Sequence, residues 1–176
     1  MAKEHFGTGD YDKAVPVLER ALASNPADLQ DLSLLGMAYL YSSSRLDLAS
    51  NLDKAQKTMD KVIADGGEAV FLVGKADDPK KGLSIHVVKV IQGELRFRKD
   101  SVSFVPIRSG SGAVGPFTGA DIKECGLNRG YGKDSNSFHF KVQKETITFR
   151  PFHFSKDESE LACSLAAKYL GVKVAN

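Results

Sequence analysis

Apolar residues recur through the first third of the chain at intervals of three and four. Residues 10 to 24 set Ala14, Val17, Leu18, Ala21 and Leu22 on one helical face, and residues 29 to 41 do the same with Leu32, Leu35, Ala38 and Tyr39. Asn25, Pro26 and Asp28 punctuate the space between them. A third helix is predicted from about Asn51 to Asp65, carrying Leu52, Ala55, Met59, Val62 and Ile63, with Gly66 and Gly67 as its stop. From Glu68 the period shortens toward two, and β-branched and aromatic residues become frequent. Seven strands are predicted, near residues 69 to 75, 83 to 91, 94 to 99, 101 to 107, 117 to 127, 137 to 143 and 146 to 152. Alternation is clean in Glu94-Leu95-Arg96-Phe97-Arg98, Phe138-His139-Phe140-Lys141-Val142 and Thr146-Ile147-Thr148-Phe149-Arg150, so these strands have one buried and one wet face. The first two strands are largely apolar on both faces. Turn signals at Asp77-Asp78-Pro79, Gln92-Gly93, Lys99-Asp100, residues 109 to 116, residues 128 to 136 and Lys144-Glu145 make neighbouring strands antiparallel. A capping-box pattern, Ser155-Lys156-Asp157-Glu158, then opens a last helix with Leu161, Ala162, Leu165, Ala166, Tyr169 and Leu170 on one face and Gly171 as its stop.

The run Gly9-Asp10-Tyr11-Asp12-Lys13-Ala14, followed by Ala21 and Pro26, resembles the second half of a tetratricopeptide repeat (TPR). The same register places Leu32, Leu35, Gly36 and Tyr39 at the large-large-small-aromatic positions of the next repeat, and Asp53-Lys54-Ala55 with Val62 on its second helix. The departures are an excess around Tyr41 to Leu48 and Gly67 where the closing proline would stand. The resemblance implies that Met1 falls inside a helix, so the chain reads as a fragment of a longer, bacterial-type multidomain protein. It also implies a concave groove lined by Phe6, Gln30, Ser33, Met37 and Leu40. The Lys and Asn pattern that clamps a chaperone's carboxylate tail is not found at these positions, which disfavours that partner class.

The strand pattern with its terminal helix, together with the segments Gly-Glu-Leu-Arg-Phe, Asp-Ser-Val-Ser-Phe and Ala-Asp-Ile-Lys-Glu, is similar to a pleckstrin-homology (PH) or GRAM-like domain. That resemblance implies a seven-stranded antiparallel barrel with the helix plugging one end. Its phosphoinositide-binding members carry a basic-x-basic pair on the second strand. The predicted second strand offers Ser84 and His86 instead, and Arg96-x-Arg98 fits only if the strand count is off by one.

Charge follows the same division. Residues 1 to 67 carry a net −3 and residues 68 to 176 a net +5, within a total of +2. The expected architecture is therefore α+β, with helical repeats over residues 1 to 67 and the PH-like barrel over residues 68 to 176. No apolar run approaches the length of a bilayer span and no signal peptide is recognisable, so the default compartment is cytoplasmic. Cys125 and Cys163 lie far apart with no metal-ligand spacing beside either, and are expected to be two small buried side chains rather than a disulfide.

Catalytic chemistry finds little to build on. Gly110-Ser111-Gly112-Ala113-Val114-Gly115 matches a dinucleotide phosphate loop, but Pro116 and a strand follow where a helix is required, so a hairpin is expected. His5, His86, His139 and His153 are scattered, and no nucleophile motif, metal site or cofactor site is expected. Electrostatics says more. If Leu95, Phe97, Phe138, Phe140, Ile147 and Phe149 point inward, then Arg96, Arg98, His139, Lys141 and Arg150 point outward as a basic stripe. Such a stripe suits an acidic protein or an anionic lipid head group, with nucleic acid a less favoured third. The expected function is a non-catalytic protein-interaction scaffold whose helical groove holds a protein or peptide and whose PH-like part is a second contact surface. The alternative is a peripheral module for anionic lipid.

Overall fold

The 3.6-residue period of residues 10 to 65 is realised as helices, and the two-residue period beyond it as a sheet. The computed structural model describes residues 5, 8–42, 48–76, 90–108, 112–128, 136–153 and 155–175. The elements are α1 (Tyr11–Ser24), α2 (Leu29–Tyr41), α3 (Leu48–Ala64), β1 (Ala69–Ala76), β2 (Val90–Phe97), β3 (Ser101–Pro106), β4 (Val114–Thr118), β5 (Ile122–Leu127), β6 (Phe138–Val142), β7 (Glu145–Pro151), α4 (Lys156–Leu170) and β8 (Lys173–Ala175). Two units result, Met1–Val70 with Phe97–Lys99, and Phe71–Arg96 with Asp100–Asn176.

In the first unit α1 packs on α2 and α2 on α3. Ala14, Leu18, Leu32, Leu35, Ala55, Met59, Val62 and Ile63 are buried, as the apolar stripes require. Asp28 caps α2 by accepting the N–H groups of Gln30 and Asp31, both at 3.0 Å. Gly36 sets the α2–α3 approach, because a Cβ there would stand 3.0 Å from Met59 Cγ. Tyr39 ties all three helices, donating its hydroxyl to Glu19 of α1 while Lys54 of α3 lies 5.5 Å from its ring centre.

The sheet has eight strands in the order β4-β3-β2-β1-β7-β6-β5-β8. The pairs β1–β7, β3–β4, β5–β6 and β6–β7 are antiparallel, and β5–β8 is parallel. Its core is aromatic: Phe138 and Phe140 each lie 5.5 Å from Phe149, and Phe104 lies 5.9 Å from it. Leu161 and Leu165 of α4 are buried, and α4 packs on β3, β5, β7 and β8.

Three features correct the sequence expectations. The predicted strand at 117 to 127 is split by a turn over residues 119–121, where Asp121 accepts the Thr118 N–H and hydroxyl, each at 2.8 Å. Its two halves, β4 and β5, do not pair; β8 takes the outer side of β5 and Pro116 of β4 lacks an N–H, so the sheet is open rather than a closed barrel. The predicted turn at Gln92-Gly93 lies inside β2. Gly93 is there for space, since a Cβ would meet the Phe104 ring at 2.4 Å and the Val105 carbonyl oxygen at 2.5 Å. The predicted 83-to-91 strand lies, up to residue 89, outside the described residues. Finally, Cys125 of β5 and Cys163 of α4 form a disulfide with their Cα atoms 5.7 Å apart. The expectation of two separate thiols fails because strand–helix packing, not sequence proximity, brings them together.

Candidate functional site

The cross-strand register decides which side chains share a face. Phe138 stands opposite Phe149 and Phe140 opposite Ile147, so these alternate positions form the inner face. His139 opposite Thr148, and Lys141 opposite Thr146, lie on the outer face, and Arg150 follows Thr148 there by alternation. The predicted basic residues of β6 and β7 therefore do share a surface. His139 lies over Gly126, where a Cβ would come within 2.7 Å of its ring. Its Nδ1 is 2.8 Å from Asn128 Oδ1 and its Nε2 is 3.7 Å from Glu124 Oε1.

Arg96 and Arg98 are held by carboxylates. Arg96 donates from Nε and Nη2 to Glu94 Oε2, at 3.0 and 2.7 Å. Arg98 donates from Nε to Glu68 Oε1 at 2.7 Å, with Nη2 on the same oxygen. β2 takes in residues 90 and 91 of one predicted strand and 94 to 97 of the next, so Arg96 lies on the second strand among the described residues and Arg98 lies one residue beyond its end. Of the predicted groove, Gln30 is exposed and Ser33 half-buried, whereas Met37 and Leu40 are 7% and 8% exposed. Only the first two present surface. Phe6 lies outside the described residues.

Two concavities were not read from the sequence. One, of about 270 Å³, opens between β1, β2 and β7 and is lined by Leu72, Val90, Pro151 and Phe152, with Gln92 and Arg150 as its polar members. Ile107 stands at the same cleft, its N–H donating to Gln92 O at 3.1 Å. Ile107 and Phe152, 62% and 49% exposed, are the most exposed large apolar side chains among the described residues. The available signal was their position: both follow the last alternating residue of a strand, where a polar turn residue is the usual choice. The second concavity, of about 710 Å³, lies between β4, the start of β5 and the β6–β7 hairpin.

One buried acid stands out. Glu158 lies in the first turn of α4 and is 4% exposed. Burial pushes its carboxyl up to about 7, against the opposing pull of the His153 and Phe152 backbone N–H groups that it accepts, with Asp157 adding to the rise. His153 Nδ1 lies 3.5 Å from its Oε1, and burial lowers the His153 pKa. No group of three or more His, Cys, Asp or Glu among the described residues could hold a metal ion. No helix of the described residues is long and apolar enough to cross a membrane.

No family model matches the chain, and no curated protein matches it. Solved structures do show similarity. The N-terminal PH domain of human ARAP2 is 16% identical, covers 58% of this chain and 78% of its own, and superposes with a TM-score of 0.43. The Spt16D–Pob3N heterodimer is 12% identical, with 62% and 54% covered and a TM-score of 0.42. The hSac2 domain of the human phosphoinositide phosphatase Sac2 is 13% identical, with 76% and 89% covered and a TM-score of 0.37. At these scores the likeness carries nothing about ligand or partner.

Proposed function

We propose that this chain is a non-catalytic interaction module that binds a protein partner, with the apolar cleft at Ile107 and Phe152 as its main contact. The observation that carries this reading is the gathering of the two most exposed large apolar side chains among the described residues at one concavity. Exposed apolar residues that cluster around a cleft mark association surfaces, whereas scattered ones do not. The helical unit is a second contact, through the Gln30 and Ser33 side of α2.

Anionic lipid is the weaker reading. A head group approaching Arg96 or Arg98 has to displace Glu94 or Glu68 from a two-donor grip, and His139 already sits between Asn128 and Glu124. Affinity capture with the wild type and with the Ile107→Ser, Phe152→Ser double variant tests the protein reading, alongside sedimentation with anionic and neutral vesicles. Partners retained by the wild type and lost by a folded double variant are expected. Retention unchanged in the variant, or vesicle binding that disappears with Arg96→Glu and added salt, would overturn the reading.

A further inference from the structure

The open side of the sheet has its own chemistry. β4 and β5 are consecutive in the chain and joined by a short turn, yet β4 is an edge strand and β5 pairs only with β6 and β8. Where a closed barrel would carry a β4–β5 ladder there is a slot of about 710 Å³, within the roughly 300–1,000 Å³ typical of small-molecule sites. Its walls are apolar: Val142 is buried, and Val114, Phe117 and Ile147 are half-buried against it. The register puts Val142 and Ile147 on the same face as Phe140, so the slot's apolar wall continues the face that carries the aromatic core.

The rim is cationic. Lys123 and Lys144 both line the slot and are exposed, and neither has an ion-pair or hydrogen-bond partner among the described residues. Lys123 reaches this position because the β5–β6 register shifts between Ile122 and Glu124 and leaves it without a cross-strand partner. One carboxylate, Glu145, shares the rim, so two cations face one anion. The surplus matches one negative charge. Glu145 repels any anion, but a carboxylate leaves the rim neutral, whereas a dianionic phosphomonoester would leave it with a net negative charge. Apolar walls behind a cationic rim ask for an apolar tail on that head.

We infer that this slot binds a single-chain amphiphile with a monoanionic head, a fatty carboxylate, its tail between Phe117 and Ile147 and its head between Lys123 and Lys144. The slot shares no lining residue with the Ile107–Phe152 cleft, so its occupancy stands or falls apart from the protein-binding reading.

Isothermal titration of the full chain with dodecanoate below its micelle concentration is the direct test, with dodecanol and dodecyltrimethylammonium as neutral and cationic counterparts. Dodecanoate should bind at one site. Lys123→Gln with Lys144→Gln should weaken it by about tenfold or more, since charge-assisted bonds to the head are removed. Ile147→Gln, which puts a polar side chain in the wall, should weaken all three ligands together. Equal affinity for the ammonium amphiphile, or dodecanoate binding untouched by the lysine variant, would overturn the assignment. Vesicles containing phosphatidylserine separate the two sources of an anionic amphiphile: sedimentation with vesicles and no binding of monomeric dodecanoate would also overturn it, in favour of a membrane surface.

Discussion

Replacing Glu158 by Gln removes one proton-binding group and keeps the shape of the side chain. Glu158 is 4% exposed, and its Oε2 is buried without a hydrogen-bond partner among the described residues. Burial therefore outweighs the two backbone N–H groups of Phe152 and His153, and the group titrates at about 7 against an ordinary 4.5. Between those values the folded chain holds a proton that the unfolded chain has lost. Folding stability must then fall as pH rises, from its full value below about 4.5 to its lowest above about 7. The gap between 4.5 and about 7, at roughly 1.4 kcal/mol for each pH unit, bounds the effect at about 3 kcal/mol.

Urea unfolding of the wild type and Glu158→Gln, at steps from about pH 4 to pH 8, isolates the effect as the difference between the two curves. That difference should move by up to about 3 kcal/mol across the window, with the wild type losing ground as pH rises and the Glu158→Gln variant holding its stability at the alkaline end. His153 works in the opposite direction: its lowered pKa means the unfolded chain binds more protons below the ordinary 6.5, so its contribution rises with pH. It is present in both proteins and cancels unless ionised Glu158 holds its charge. A His153→Asn background removes that coupling. Parallel curves, or a divergence of the reverse sign, would refute the reasoning about burial.

Two further outcomes follow from the fold. The Cys125–Cys163 bond spans 38 residues, and constraining a loop of that length in the unfolded chain is worth about 4 kcal/mol. Cys125→Ser should lower the unfolding midpoint accordingly, and the purified, denatured wild type should show no titratable thiol; two thiols would refute the pairing. Gly93→Ala puts a Cβ within 2.5 Å of the Phe104 ring and of a carbonyl oxygen that cannot rotate away, and should cost about 1 to 3 kcal/mol in chemical denaturation. A neutral result would refute the close approach of the Phe104 ring to Gly93.

The helices and most strands were legible because their cores are built from regular periods: α2 starts and ends at the predicted residues, and β6 and β7 carry the predicted inner face of Phe138, Phe140 and Phe149. Glycine was the main source of error. A glycine beside Gln92 reads as a turn when only the sequence is in view, yet it makes room for an aromatic ring from the next strand. The split of 117 to 127 was hidden for the opposite reason, since Gly119 and Asp121 sit inside an otherwise strand-like run. β8 is three residues long and has no period to detect. The Cys125–Cys163 pair and the slot between β4 and the β6–β7 hairpin depend on elements distant in sequence, and no local pattern encodes them.

The basic stripe shows what alternation can decide and what it leaves open. Period-two patterning places His139 and Lys141 opposite Thr148 and Thr146 on the wet face, as a buried Phe138–Phe140 pair demands. Charge availability is a separate matter, set by neighbours the period does not see. Glu94 is two residues from Arg96, on the same side of β2, and accepts from its Nε and Nη2; Glu68 does the same for Arg98 across 30 residues of sequence. Surface pairs of this kind stabilise by no more than about 1 kcal/mol, so they do not lock the arginines, but any anion has to compete with a carboxylate already in place. Among the described residues, Lys123 and Lys144 have no such competitor except Glu145, and they stand over apolar walls instead of a flat sheet. The stronger anion site is therefore the one whose cations the described residues leave without partners, and it lies where the sheet failed to close.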